Sequence, residues 1–266
     1  MALSHLLVGI TPCSAADATA RDISVLLFKA VPGSHPALNG RDLRRLDLAG
    51  LDFKNADLSK SDLFGADLSG ANLSGTNLSG ARLDRVTLIG ARLDGAILDH
   101  ASMMRPSSFT TLSPNPKEAP SLKAASLKGT RFFGSFMGSD FSGADLTDSD
   151  CAPTSKTGFI EFIWRTDFSG ANLNGAILTR ADMTQSRFSF ATLKNAVMRD
   201  VILREADLVG ANLAGADLTG ADLSGADLTD ADVTGANLDG VILHDTKGLE
   251  TLKGLALARN SEKIIR

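Results

Sequence analysis

Tyrosine is absent from this 266-residue chain, tryptophan occurs once, and there are only two cysteines and four histidines. Two cysteines, Cys13 and Cys151, are too few for a disulfide framework. The histidines at positions 5, 35, 100 and 244 are scattered, and no Cys/His cluster has metal-ligand spacing. A glycine-rich phosphate loop and a nucleophile elbow are also lacking. The chain is therefore read as a non-enzyme with no cofactor. No apolar run reaches the ~18–20 residues of a membrane span. A formal net charge of −4 is too mild to call for direct contact with nucleic acid or an anionic surface.

These absences have one source, a short Ala/Asp/Leu/Gly-rich unit copied many times. Residues 211–240 read ANLAGADLTGADLSGADLTDADVTGANLDG, six near-copies of five residues. Large apolar centres recur every fifth position, thirteen of them between 43 and 103 and sixteen between 168 and 243, with about seven more between. Two residues before most centres sits Ala or another small residue, and one before sits Asp or Asn. Cys151 occupies a centre, which makes it a small buried apolar side chain.

A five-residue period fits neither a helix at 3.6 nor a strand at 2. The chain must turn every five residues. Four such sides close a square coil, with Leu or Phe filling the axis, Ala packing beneath, and Gly near corners that need permissive dihedrals. One buried Leu contributes ~1.5–3 kcal/mol, whereas ordering five backbones costs ~5–10 kcal/mol. No unit is stable alone, so coils must stack and their ends must be capped.

The motif A-(D/N)-L-x-x resembles the signature of the pentapeptide-repeat family over about three quarters of the chain. That resemblance implies an all-β fold, a right-handed quadrilateral β-helix of about nine coils, ~43 Å long at strand spacing. The repeat spans 41–245 and is interrupted near 104–121, where four prolines fall, and near 152–165. After centre 132 the register shifts by one residue, so a bulge or distorted turn is expected there.

Residues 19–40 are read as an N-terminal cap and 246–266 as a C-terminal cap, whose Leu249, Leu252, Leu255 and Leu257 could instead form a dimer contact, as in several members of the family. The chain is expected to be a monomer or weak homodimer through that segment. Residues 1–18 carry an apolar stretch, Leu3 to Ile10, followed by small residues up to Ala16-Asp17-Ala18. This layout resembles a secretory signal, although it has no Lys or Arg ahead of the apolar stretch. A periplasmic or secreted location is expected, with the cytoplasm as the alternative. The overall layout is similar to exported proteobacterial members of the family with no known role.

Two features could carry recognition. The second interruption gathers Phe159, Phe162 and Trp164, which either cover the rod's side or form an exposed partner site. Residues 205–245 hold nine acids and no Lys or Arg, including the column Asp217, Asp222, Asp227 and Asp232. Quinolone-resistance members of the family mimic DNA to bind DNA gyrase, so a modulator of a type II topoisomerase is the alternative function. Against it, residues 41–245 carry 27 acids and 20 bases, a net of −7, whereas a duplex ~43 Å long carries ~25 charges. The primary expectation is a non-enzymatic binding or scaffolding protein with an unknown protein partner.

Overall fold

The structure is a computed structural model that describes residues 18–31, 33–110, 115, 117–152 and 165–265. Its organising element is the five-residue turn. In the unit 216–220 every backbone N–H has a partner: Ala216 donates to the Leu213 carbonyl across the turn at 3.0 Å, Asp217 to Ala196 at 2.9 Å, Leu218 to Asn237 at 2.9 Å and Gly220 to Asp239 at 2.8 Å. The fifth, on Thr219, has no carbonyl within reach and donates to the Asp217 carboxylate at 3.2 Å. This last bond explains the Asp or Asn before most centres, a short side chain with an oxygen two residues back. Where another residue stands there, a side chain of the adjacent coil takes the donor, as Asp84 does from the Met104 N–H at 3.0 Å and Asp94 from the Lys123 N–H at 3.1 Å.

Coils stack through parallel bridges twenty residues apart, one on each of four sides. Among the described residues, one side climbs from Ala37 through Asp57, Asn77, Ile97, Ser126, Asp145, Ile177, Val197, Asp217 and Asn237 to Arg259. These eleven levels make a rod ~48 Å long at strand spacing. The pentapeptide centres alone account for about nine; the flanking segments supply the rest. The axis is filled as the periodicity requires, with every Leu and Phe centre from 43 to 213 at 0% exposure. Where Ser or Thr replaces the small Ala, the hydroxyl in some repeats turns back onto a carbonyl, as Ser61 does to Leu58 and Thr76 to Leu73, both at 2.6 Å, whereas those of Ser139 and Ser186 are buried without a partner among the described residues.

The interruptions change the bridge spacing. Thr87 still pairs with Ser107, but Arg92 pairs with Ser121, nine residues beyond the coil's twenty. The chain leaves the coil later than the sequence suggests because Ser108, at 3% exposure, stands in the centre position without an apolar signature. The Glu118 carboxylate clasps this excursion by accepting from the Thr110 N–H at 2.8 Å. Phe109 is half-buried, and Leu112 lies outside the described residues. Among the described residues only here do bridges lengthen to strands, β1 (Ser102–Met104) pairing in parallel with β2 (Arg131–Phe133). The next corner is one residue short and turns at Gly134, where a Cβ would meet the Pro106 ring at 2.8 Å. Around it Phe132, Phe136, Phe141, Phe168 and Phe188 form a continuous aromatic cluster of mainly edge-to-face contacts, with Phe168 and Phe188 near-parallel at 5.0 Å.

Both ends of the stack are closed. At the N-terminus α1 (Ala20–Lys29) starts with a capping box between Thr19 and Asp22 and buries Ile23 and Leu27, one turn apart, on the first coil. The Lys54 ammonium donates to the Ala30 carbonyl at the helix's end, 3.1 Å away. At the C-terminus Lys247, Lys253, Arg259 and Ile265 bridge to the coil below, six residues apart instead of five. Gly248 makes the first of these wider turns at φ 75°, where a Cβ would lie 2.2 Å from the Thr229 nitrogen. Leu249, Leu252 and Leu255 pack onto the core, while Leu257 is 69% exposed.

Leu218→Asp should unfold the C-terminal coils, lowering stability by about 4 kcal/mol or more in urea denaturation; an unchanged midpoint would refute the register. Burial pushes the Cys151 thiol well above its ordinary pKa. In a Cys13→Ser background, Cys151 should therefore react with a thiol reagent only after denaturation.

Candidate binding surfaces of the rod

The square coil decides which side chains share a face. Asp217, Asp222, Asp227 and Asp232 are five residues apart, and their bridges place them on four different sides: Asp217 with Asn237, Asp222 with Ile242, Asp227 with Lys247 and Asp232 with Lys253. They encircle one coil and present no common surface. Phe159, Phe162 and Trp164 lie outside the described residues.

Each of the four carboxylates is also engaged by its own turn. Asp227 accepts from the Thr229 N–H at 2.9 Å and hydroxyl at 2.6 Å; Asp232 does the same with Thr234 at 2.9 and 2.6 Å. Those hydrogen bonds hold both carboxyls below the usual aspartate range. Partial burial pushes Asp217 and Asp222 up, but bonds from Thr219 and Ser224, together with Arg199 and Arg204, outweigh it and leave both lowered. Arg199 and Arg204 each reach a carboxylate oxygen at 2.6 Å, so neighbouring coils neutralise part of the charge that the run 205–245 shows in one dimension.

No side carries an unbroken line of acids. Two sides carry five bridge-position acids each: one runs through Asp47, Asp67, Asp167, Asp207 and Asp227, interrupted by Thr87, Ser107, Ser135, Arg187 and Lys247, and the adjacent one through Asp42, Asp62, Asp150, Asp182 and Asp222, interrupted by Arg82, Ser102, Arg131 and Ile202. This second side is also basic over its lower levels. Units 41–45, 81–85, 101–105 and 130–134 bring Arg41, Arg44, Arg45, Arg82, Arg85, Arg105 and Arg131 together against Asp42, Asp62 and Asp84. Within this group the Arg82 and Arg85 guanidiniums lie 4.4 and 5.7 Å from the Phe64 ring centre. Folding the sequence at twenty residues per coil would have aligned Arg45, Arg85 and Arg105, but the whole-chain balance hides them.

The N-terminal cap adds an apolar surface that the sequence reading missed. Phe28 is 86% exposed, Val31 66% and Val25 43%, and between α1 and the first coil lies a cleft of about 510 Å³. The signal was present as Thr19-x-x-Asp22 ahead of Ile23 and Leu27, a helix start followed by a four-residue apolar spacing. Among the described residues no group of three His, Cys, Asp or Glu side chains could hold a metal ion. No helix among them is long and apolar enough to cross a membrane.

These features, a twenty-residue square coil with Asp or Asn closing most turns, define a pentapeptide-repeat solenoid. A family model for pentapeptide repeats matches residues 37–70, 66–103, 165–205 and 206–245, more than half of the chain, and the protein belongs to that family, whose fold is the right-handed β-helix. Among solved structures it is similar to HetL, a pentapeptide repeat protein involved in heterocyst differentiation regulation in the cyanobacterium Nostoc sp. strain PCC 7120, at 27% identity over 85% of this chain and 91% of that one, with a TM-score of 0.51. A pentapeptide repeat protein of the Arabidopsis thaliana thylakoid lumen is 40% identical over 31% of this chain and 59% of its own, with a TM-score of 0.30. Full-length QnrB1, a plasmid-mediated fluoroquinolone resistance protein, is 22% identical over 85% of this chain and 92% of its own, with a TM-score of 0.27. No curated protein matches the chain.

Asp232→Ala should cost about 1–2 kcal/mol by stranding the Thr234 N–H, and Asp232→Asn clearly less, because the amide keeps the acceptor; equal losses in urea denaturation would show that charge is what matters. The lowered carboxyls also set a pH dependence. A depressed folded-state pKa contributes stability that is complete above the ordinary aspartate value of about 3.9 and is lost below it. The thermal midpoint should stay level from neutrality to about pH 5 and then fall as the pH drops through that value and below.

Proposed function

We propose that this chain is a non-catalytic binding or scaffolding protein that acts by presenting the sides and ends of a rigid rod to a protein partner. The observation that carries this reading is the division of labour among its polar side chains. The Asp and Asn that stand before most centres serve their own turns, leaving recognition to positions the repeat leaves unspecified, on the arginine-rich side, and to the apolar cap. The regulatory role described for HetL agrees with a chain that works through binding.

The cell envelope is the proposed location, on the strength of the apolar Leu3 to Ile10 stretch and the Ala16-Asp17-Ala18 end. Removal of residues 1–18 would leave the capping box of α1 intact, because Thr19 and Asp22 both lie beyond it. The topoisomerase alternative needs a continuous acidic track, and the placement of the 205–245 acids on four sides favours the first reading.

The test is the mass of the mature chain in periplasmic and cytoplasmic fractions of its native host, combined with a gyrase supercoiling titration. A periplasmic chain beginning near Ala16 or Thr19, with supercoiling unaffected, is the expected result. A cytoplasmic chain that inhibits supercoiling at stoichiometric concentration would replace this reading with the topoisomerase one.

A further inference from the structure

We propose that two copies of this chain pair end to end through α1, each inserting Phe28 into the other's cleft between α1 and the first coil. Solenoid caps protect the last coil by turning a polar face to water. The outer face of α1 does not. Seven large apolar side chains are exposed among the described residues, and three of them, Val25, Phe28 and Val31, fall within seven positions at this one end. Single exposed apolar residues are ordinary, but a cluster on a cap leaves the cap itself uncovered.

The shape of the patch selects a second copy as its occupant. It combines a protruding ring, Phe28, with a neighbouring open cleft of about 510 Å³. Val25, Leu27, Phe28 and Leu51 supply the cleft's apolar lining, and Arg21, Asp52 and Lys54 are its charged residues. A surface carrying both knob and hole is self-complementary under a two-fold axis, the symmetry of most homodimers. The edge carries both signs, Arg21 and Lys54 with Asp52, so Arg21 of one copy can be paired with Asp52 of the other, whereas an edge of one sign would repel its own image. The other end offers less, because Leu249, Leu252 and Leu255 are already turned onto the core. A contact limited to one ten-residue helix and a cleft falls at the low end of specific interfaces, so the dimer should be a micromolar one.

Sedimentation equilibrium of the full chain from about 1 to 200 μM, spanning the Kd range such an interface implies, tests this. Wild type should pass from monomer to dimer across the series. Phe28→Asp should raise Kd by about 30-fold or more, as loss of a central aromatic anchor does, and Arg21→Glu should raise it by a smaller factor. Both sites are exposed, so an unchanged thermal midpoint verifies that each variant folds. Leu257→Asp, at the opposite end, should leave Kd unchanged. A wild type that stays monomeric at the highest concentration overturns the proposal, as it would if another segment of the same chain filled the cleft. A dimer insensitive to Phe28→Asp, or one lost with Leu257→Asp, also overturns it.

Discussion

One hydrogen bond constrains most of the repeats in this protein: that from the N–H of the residue after the centre to an Asp or Asn side chain, two positions earlier in most repeats and in the adjacent coil at Met104, Lys123, Lys128 and Lys194. Four of the five N–H groups in a repeat find carbonyls, three in adjacent coils and one across the turn. The fifth faces outward at the corner. Left to water it would still be solvated, but the turn would lose the local bond that selects its geometry. With the bond in place the repeat is fully paired, and a single bridge per side per coil is enough to align the stack.

That constraint explains why the acidic side chains, so prominent in the sequence, make a poor recognition surface. A carboxylate bonded to Thr229 or Thr234 is oriented by its own turn, and one that also meets Arg199 or Arg204 from a neighbouring coil is partly neutralised. Recognition then falls to positions the repeat leaves unspecified. These are the corner residues, where Arg45, Arg85 and Arg105 take left-handed dihedrals that glycine takes elsewhere, and the capping segments, which must differ from the repeat in order to end it.

The ends show how the same stacking rule is met by different local chemistry. At one end a helix lays Ile23 and Leu27 over the first coil. At the other, six-residue steps through Gly248 and Gly254 carry the bridges one level further while leucines fold beneath. The first solution leaves apolar surface outside and the second largely consumes it, so the two ends of the rod are chemically unlike.

The sequence by itself determined the repeat, the coil and the buried column from Leu43 to Leu243, because a five-residue apolar period admits only a chain that turns every five residues and hides its centres. It also placed Cys151 in the core. Where a polar side chain stood at a centre, as at Ser108, the period fell silent and the start of the excursion was misread by several residues. Only the tertiary structure decided which charges share a side. Neighbouring repeats are turned a quarter of a coil apart, while residues nineteen to thirty-two apart are brought into register. The quarter turn at each repeat places Asp217, Asp222, Asp227 and Asp232 on four sides, while insertion lengths set which earlier residues stand beneath them. Likewise the cleft beside Phe28 exists only because α1 docks on the first coil, a packing event between segments whose local patterns do not mention each other.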